Sequence, residues 1–267
     1  MTSLSQPAAR HRRTESLLTP AARAGLRSDG FRWAIAPALA AWVLLALWAG
    51  TGRGLEFCFG VGTSALAAAG SAIRAEFALA DPGRIATEWL LMTLAMMLPL
   101  ALPAIAHVAA RSFFRRRERA LAIFVSGFAL VWFAAGVLAI PLLLLSDAVL
   151  DSAGLGRWGG IIGCALAALW QVSPAKGLAL RRCHLRPSLP AVGPAADLGV
   201  RAYGVGHGLR CLRSCFAMMV PPLLGGQHLM AMAVVTLLLF AERATDRPAF
   251  GSSALVLLLL GVAMSAA

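Results

Sequence analysis

Residues 88–107 read Glu88-Trp-Leu-Leu-Met-Thr-Leu-Ala-Met-Met-Leu-Pro-Leu-Ala-Leu-Pro-Ala-Ile-Ala-His107, with no charge between the first residue and the last. A bilayer crossing needs about 20 mostly apolar residues, and this stretch supplies one. The whole chain agrees with it. Of its 267 residues 59% are hydrophobic and 13% charged, whereas a soluble domain is about 45–50% apolar and about 25% charged. Mean hydropathy is +0.76. A water-soluble globular enzyme is excluded on these values, and so is a disordered chain, which holds too little apolar surface to collapse. The expected fold is all-α, a polytopic bundle of about seven transmembrane helices.

Working outward, the candidate spans are Trp33–Gly50, Thr87–Ala110, Ala120–Leu145, Trp158–Val172, Ala202–Leu224, Gln227–Ala241 and Ala249–Ala266. The net charge of +12 would point to nucleic acid in a soluble protein. Here the bases lie between apolar spans, so they read as topology signals and no nucleic-acid partner is expected. The tail before the first span carries six arginines, and residues 111–119 carry five more. By the positive-inside rule both face the cytoplasm, and the C-terminus faces outward. Residues 1–32 read as a disordered basic tail without a signal-peptide core, and 33–267 as the transmembrane domain. The almost uncharged stretch Leu55–Ile73 reads as re-entrant or interfacial, because a further crossing there would put the five-arginine loop outside. The expected location is a bacterial inner membrane, with the lipid bilayer as first partner.

Soft ligands recur within the spans. In the second, Met92, Met96, Pro99, Pro103 and His107 share one helical face at ~100° per residue, with the prolines able to kink it. Thioether and imidazole suit soft metals, Cu(I) above all, although methionine also simply fills gaps between helices. In the fifth, His207, Cys211, Ser214, Cys215 and Met218 fall at i, i+4, i+7, i+8 and i+11. Two thiols one turn apart can take one ion, while glycines at 204, 206 and 208 allow close helix approach and make plain packing the competing account. Arg210 and Arg213 in the same span need relief, by snorkelling, by pairing with Asp197 or Glu242, or by a break in the helix. His228 and Met232 lie at the outer end of the sixth span, where an ordinary interfacial histidine is the simpler reading. Cys183 and His184 sit in a cytoplasmic loop placed to receive a metal from a soluble donor, or merely belong to a basic loop. Cys58 and Cys164 read as structural. No Walker loop, HExxH or Gly-x-Ser-x-Gly occurs, so an enzyme is not expected.

These residues carry a resemblance. Trp89, Met92, Ala95, Met96, Met97, Pro99 and Pro103 fit the Trp-x-x-Met-x-x-Ala-Met-Met-x-Pro-x-x-x-Pro signature of the bacterial predicted metal-binding integral membrane proteins, domain of unknown function 2182. Trp170, Gln171, Pro174, Lys176, Leu180 and Cys183 fit a second block of that family, with Ala179 in place of a cysteine and His184 in place of an arginine. Gly208, Cys211, Cys215 and Met219 fit a third, from which Arg213, Ser214 and Phe216 depart. Gly225 to Met232 and Glu242-Arg243 fit the close of the pattern, with His228 and Ala231 substituted. The chain resembles a divergent member over about 87–243. The resemblance implies metal binding, in some members of a copper-chaperone kind, with two cysteines fewer here.

The leading expectation is a copper-binding membrane protein that handles copper or delivers it to a membrane cuproenzyme, fed by a soluble donor. Cys211, Cys215, Met96, Met92, Met218, His207, Cys183, His184 and His228 are its candidate ligands, arranged as a column if the second, fifth and sixth spans pack together. A small metal-ion transporter using the same column and a metal-independent assembly subunit are the alternatives.

Overall fold

In a computed structural model of the chain, the structure describes residues 30–50, 82–152, 158–224, 228–245 and 248–266. Cys58 and the 55–73 stretch lie outside the described residues, as does the basic tail up to residue 29. Everything regular among the described residues is helical. The helices are α1 Gly30–Gly50, α2 Pro82–Met97, α3 Leu102–Arg111, α4 Arg117–Ser152, α5 Gly159–Val172, α6 Pro174–Cys183, α7 Pro194–Cys215, α8 Val220–Leu224, α9 His228–Ala244 and α10 Phe250–Ala266.

Proline explains most of the breaks. Pro99 has no N–H to bond the carbonyl one turn back. The segment read as one span therefore becomes α2, a 3-10 turn at Pro99–Ala101 and α3, bent by 42°. The shared face of Met92, Met96 and His107 is interrupted there. Pro221 and Pro222 act likewise on the fifth span, where α7 ends at Cys215 and a 3-10 turn, Phe216–Met219, leads into α8. That span is not one continuous α-helix. At the other end of α7, Gly193 adopts φ 76°, the left-handed region that favours glycine, just before the N1 proline Pro194.

Between α5 and α6 the chain turns by 74°. Ser173 caps α6, its hydroxyl accepting from the Lys176 backbone N–H at 3.2 Å, with Pro174 at N1, where its missing donor is harmless. The turn directs Lys176 into the protein instead of leaving it among the exposed loop bases.

Among the described residues two helices, Phe31–Ala49 and Phe114–Leu142, are long and apolar enough to cross a membrane, and up to four spans result if each bent pair counts as one. The expectation of about seven is thus met only in part. α7 carries Arg201, Arg210 and Arg213, and α5 has 14 residues before its turn.

The core runs along α2, α3, α4 and α7, with Trp89, Phe124, Phe128 and Trp132 buried. Trp89 Nε1 donates to the Trp132 carbonyl at 2.8 Å. α4 and α7 approach so closely that a Cβ on Gly204 would lie 2.5 Å from the Phe124 carbonyl oxygen. Polar ties gather the basic ends of α1, α4 and α7. Trp33 Nε1 donates to Glu118 at 2.7 Å, and Arg32 pairs with Glu118 at 3.3 Å. Asp197, at the start of α7, pairs with Arg116 and, at 2.7 Å, with Arg119.

Two outcomes follow from this packing. Gly204→Ala forces α4 and α7 apart and is expected to lose about 1–3 kcal/mol, seen as a lowered unfolding midpoint in detergent. Gly251→Ala, where nothing lies within 4 Å, serves as the tolerated control. The hydrogen bond from Arg116, reinforced by the charges of Arg119 and Arg116, holds the Asp197 carboxyl below the usual range. A depressed carboxylate stabilises the fold above its unfolded pKa, about 3.9, and that contribution is lost as pH falls through the lower folded value. Acid unfolding followed by circular dichroism is expected to lose this component in Asp197→Asn.

Candidate metal centre

α6, α7 and α9 bring together what the sequence scatters over some sixty positions. From α9, the buried guanidinium of Arg243 reaches into a pocket of sulfur. Its Nη2 lies 3.3 Å from Cys211 Sγ, 3.3 Å from Cys215 Sγ and 3.7 Å from Cys183 Sγ, and donates to Ser214 Oγ at 3.2 Å. Its Nη1 donates to the Leu100 carbonyl at 3.4 Å, in the 3-10 turn that breaks α2 from α3. The Ser214 hydroxyl donates back to the Cys211 carbonyl at 3.0 Å. Its lone pairs therefore face Arg243 and the thiols of Cys183 and Cys215, 3.3 and 3.2 Å away. All three cysteines are free and buried.

Beside this cluster lies a buried ion pair. Lys176 Nζ sits 2.9 Å from Glu242 Oε2 and donates to the Ser214 carbonyl at 3.1 Å. Gln171 donates to the other Glu242 oxygen. The side chains of Lys176 and Glu242 are 0% and 2% exposed. Such a pair persists only when geometry and further hydrogen bonds repay the lost hydration. Here Gln171 and the Ser214 carbonyl supply them. Glu242 would otherwise be unfavourable near the C-terminus of α9, where the helix dipole favours the cation Arg243.

One turn before Cys211, His207 is buried among Phe124, Phe128 and Tyr203, with ring centroids 5.9, 6.0 and 5.9 Å away. Neither of its ring nitrogens has a hydrogen-bond partner. It lines a small cavity with Cys183, His184, Arg186, Tyr203 and Arg243.

The expected stripe of His207, Cys211, Ser214 and Cys215 is buried on α7 as spaced, and Cys183 joins it from α6. Met92, Met96 and Met218 are buried in the same apolar cluster as Cys211 and Cys215, Met218 from the 3-10 turn. His184 stands at the exposed rim of the cavity. His107 is elsewhere, donating from Nε2 to the Pro187 carbonyl at 2.9 Å. The side chain of His228 lies outside the described residues. Asp197 and Glu242, considered as partners for Arg210 and Arg213, pair instead with Arg116, Arg119 and Lys176. Arg210 lies over the Tyr203 ring at 5.9 Å.

Sequence reasoning missed Arg243 as the centre of the thiol cluster and read Lys176 as a topology base. Two signals were available. Lys176 is the only lysine in the chain, and Glu242-Arg243 ends an otherwise apolar helix.

Among the described residues, no three His, Cys, Asp or Glu side chains stand ready to hold a metal ion, since the thiols are arranged about the guanidinium. The donor chemistry nevertheless belongs to one class of metal. Buried thiols with no carboxylate among them favour soft or borderline metals, Cu(I) among them, over hard cations.

The buried pair gives a direct test. Lys176→Met leaves Glu242 uncompensated and is expected to lose about 3–5 kcal/mol. Lys176→Met/Glu242→Leu recovers much of that loss in the same unfolding measurement.

No characterised protein and no solved structure matches this chain. A family model does, over residues 86–265, which takes in α3 to α9 and all three cysteines of the cluster. The family carries another name than the one the motifs resemble, but both concern metal. The match covers about two thirds of the chain, and the chain therefore belongs to the PpoB2 copper chaperone family.

Proposed function

We propose that this protein is a membrane-embedded Cu(I) carrier, not an enzyme, which holds its cargo at Cys211 and Cys215 and passes it through Cys183. The observation that supports this reading most is the convergence of three buried thiols on one point in a member of a copper chaperone family. Charge favours it too. With neutral thiols, Arg243 and Lys176 against Glu242 leave a surplus of one positive charge, unfavourable in an apolar interior. Cu(I) held by two thiolates is an anionic unit that cancels the surplus, with Arg243 moved from the centre of the thiols to their edge. His207, His184, Met92, Met96 and Met218 are secondary donors along the route.

The bilayer reading rests on the outer faces. Leu39, Val43 and Leu47 of α1, Leu130, Leu138 and Leu142 of α4, and Leu255, Leu259 and Val262 of α10 are exposed. Large exposed apolar surfaces mark a membrane or protein contact. The arginine-rich starts of α1 and α4 gather at the start of α7, as a cytoplasmic face requires. We place the protein in a bacterial inner membrane as a multi-pass bundle of up to seven spans, N-terminus inside, delivering copper to a membrane cuproenzyme. A second reading draws on Arg243 itself. Filled by the guanidinium, the thiol cluster is a finished packing unit, as in a metal-independent assembly subunit.

Metal content separates the two. Full-length protein purified in mild detergent under reducing conditions with Cu(I) supplied is expected to carry roughly one copper per chain by mass spectrometry. Loading should fall as pH is lowered, because the ligating thiols must lose their protons. Cys211→Ala/Cys215→Ala should abolish loading. Folded protein that stays metal-free, or a double variant that loads normally, contradicts the carrier reading.

A further inference from the structure

The route into the thiol cluster has a charge of its own. The cavity beside Cys183 runs from exposed His184 and Arg186 at the rim to buried Cys183, His207 and Arg243 at the floor, and no acidic side chain lines it. Arg210 adds its charge behind, over the Tyr203 ring. Arg181 and Arg182 precede the rim on α6, and residues 177–196 contain no Asp or Glu. The carboxylates packed nearest are already committed, Glu242 to Lys176 and Asp197 to Arg116 and Arg119. A bare monovalent cation would be repelled along this path, because a cleft lined by one sign of charge concentrates the opposite sign. At the floor, both ring nitrogens of buried His207 lack a hydrogen-bond partner, and the Cys183 thiol lies on the boundary between cavity and cluster.

We propose that this cavity is a docking port for copper delivered as an anion, a Cu(I) ion held by two thiolates of a small-molecule donor. The inference rests on the carrier reading and adds the form in which the cargo arrives. Arg186 attracts the complex at the rim, and His207 offers an imidazole donor inside. Cys183 makes the first exchange, and Cys211 and Cys215 complete the transfer. The step balances without redox change. Two Cu–S bonds to the donor break and two to the protein form. The two protons from the protein thiols leave on the departing donor thiolates, so an anionic complex plus two thiols gives an anionic complex plus two thiols.

Rates of copper uptake by the full-length reduced protein test this directly. Two Cu(I) sources are compared, the anionic bis-glutathione complex and the neutral-ligand complex with acetonitrile. From the anionic source the rate is expected to fall with added salt. Arg186→Glu, at an exposed site that folding tolerates, is expected to lower the ratio of anionic-source to neutral-source rates about tenfold. A ratio that moves with neither salt nor Arg186→Glu overturns the port while leaving the carrier intact. Failure to take copper from either source overturns the carrier reading and the port with it.

Discussion

Buried charge in an apolar bundle organises this structure. Lys176, Glu242 and Arg243 lie on two helices separated by some sixty residues of sequence, and none can be left in a low-dielectric interior without partners. Lys176 is satisfied only if α6 folds back at Ser173 and lies against the end of α7, where the Ser214 carbonyl waits. Glu242 is satisfied only if α9 delivers it to the same place. Arg243 then has no route except into the space between Cys183, Cys211 and Cys215, with the Leu100 carbonyl on its other side. Breaking any one of these placements strands a charge, so the three helices and the turn between α2 and α3 are fixed together.

The thiols inherit their arrangement from that constraint. Ser214 shows how: its carbonyl binds Lys176 while its hydroxyl sits among two thiols and the guanidinium. The same residue thus joins the ion pair to the sulfur cluster. A guanidinium would be an apt neighbour for the proposed alternation of the site between neutral thiols and an anionic metal–thiolate unit. It remains charged in both states and can meet several sulfur atoms from one planar group.

What the sequence revealed was local. The period of α7 placed His207, Cys211, Ser214 and Cys215 on one buried face, because helical phase depends only on spacing and no proline intervenes before Cys215. Met218 lay beyond that reach, since Pro221 and Pro222 convert the next residues to a 3-10 turn. The prolines at 99 and 103 signalled a kink but not its size. Among the described residues fewer than seven spans pass on length and composition, because α5 ends at Val172 and α7 is rich in arginine. The identity of the cluster's centre was not legible at all. Arg243 closes an apolar helix and reads as a membrane-interface base, and only the helix packing shows that it turns inward. Lys176 and Glu242 were likewise visible as residues but not as a pair, because spacing says nothing about which helices meet.

In the proposed carrier, copper binds in the place now filled by Arg243, held by sulfur. X-ray absorption at the copper edge of Cu(I)-loaded full-length protein reads the first shell directly. Sulfur is expected as the dominant neighbour, with the sulfur shell diminished in Cys183→Ala and gone in Cys211→Ala/Cys215→Ala. A shell dominated by nitrogen or oxygen, or a sulfur shell that persists without these three thiols, would contradict that placement.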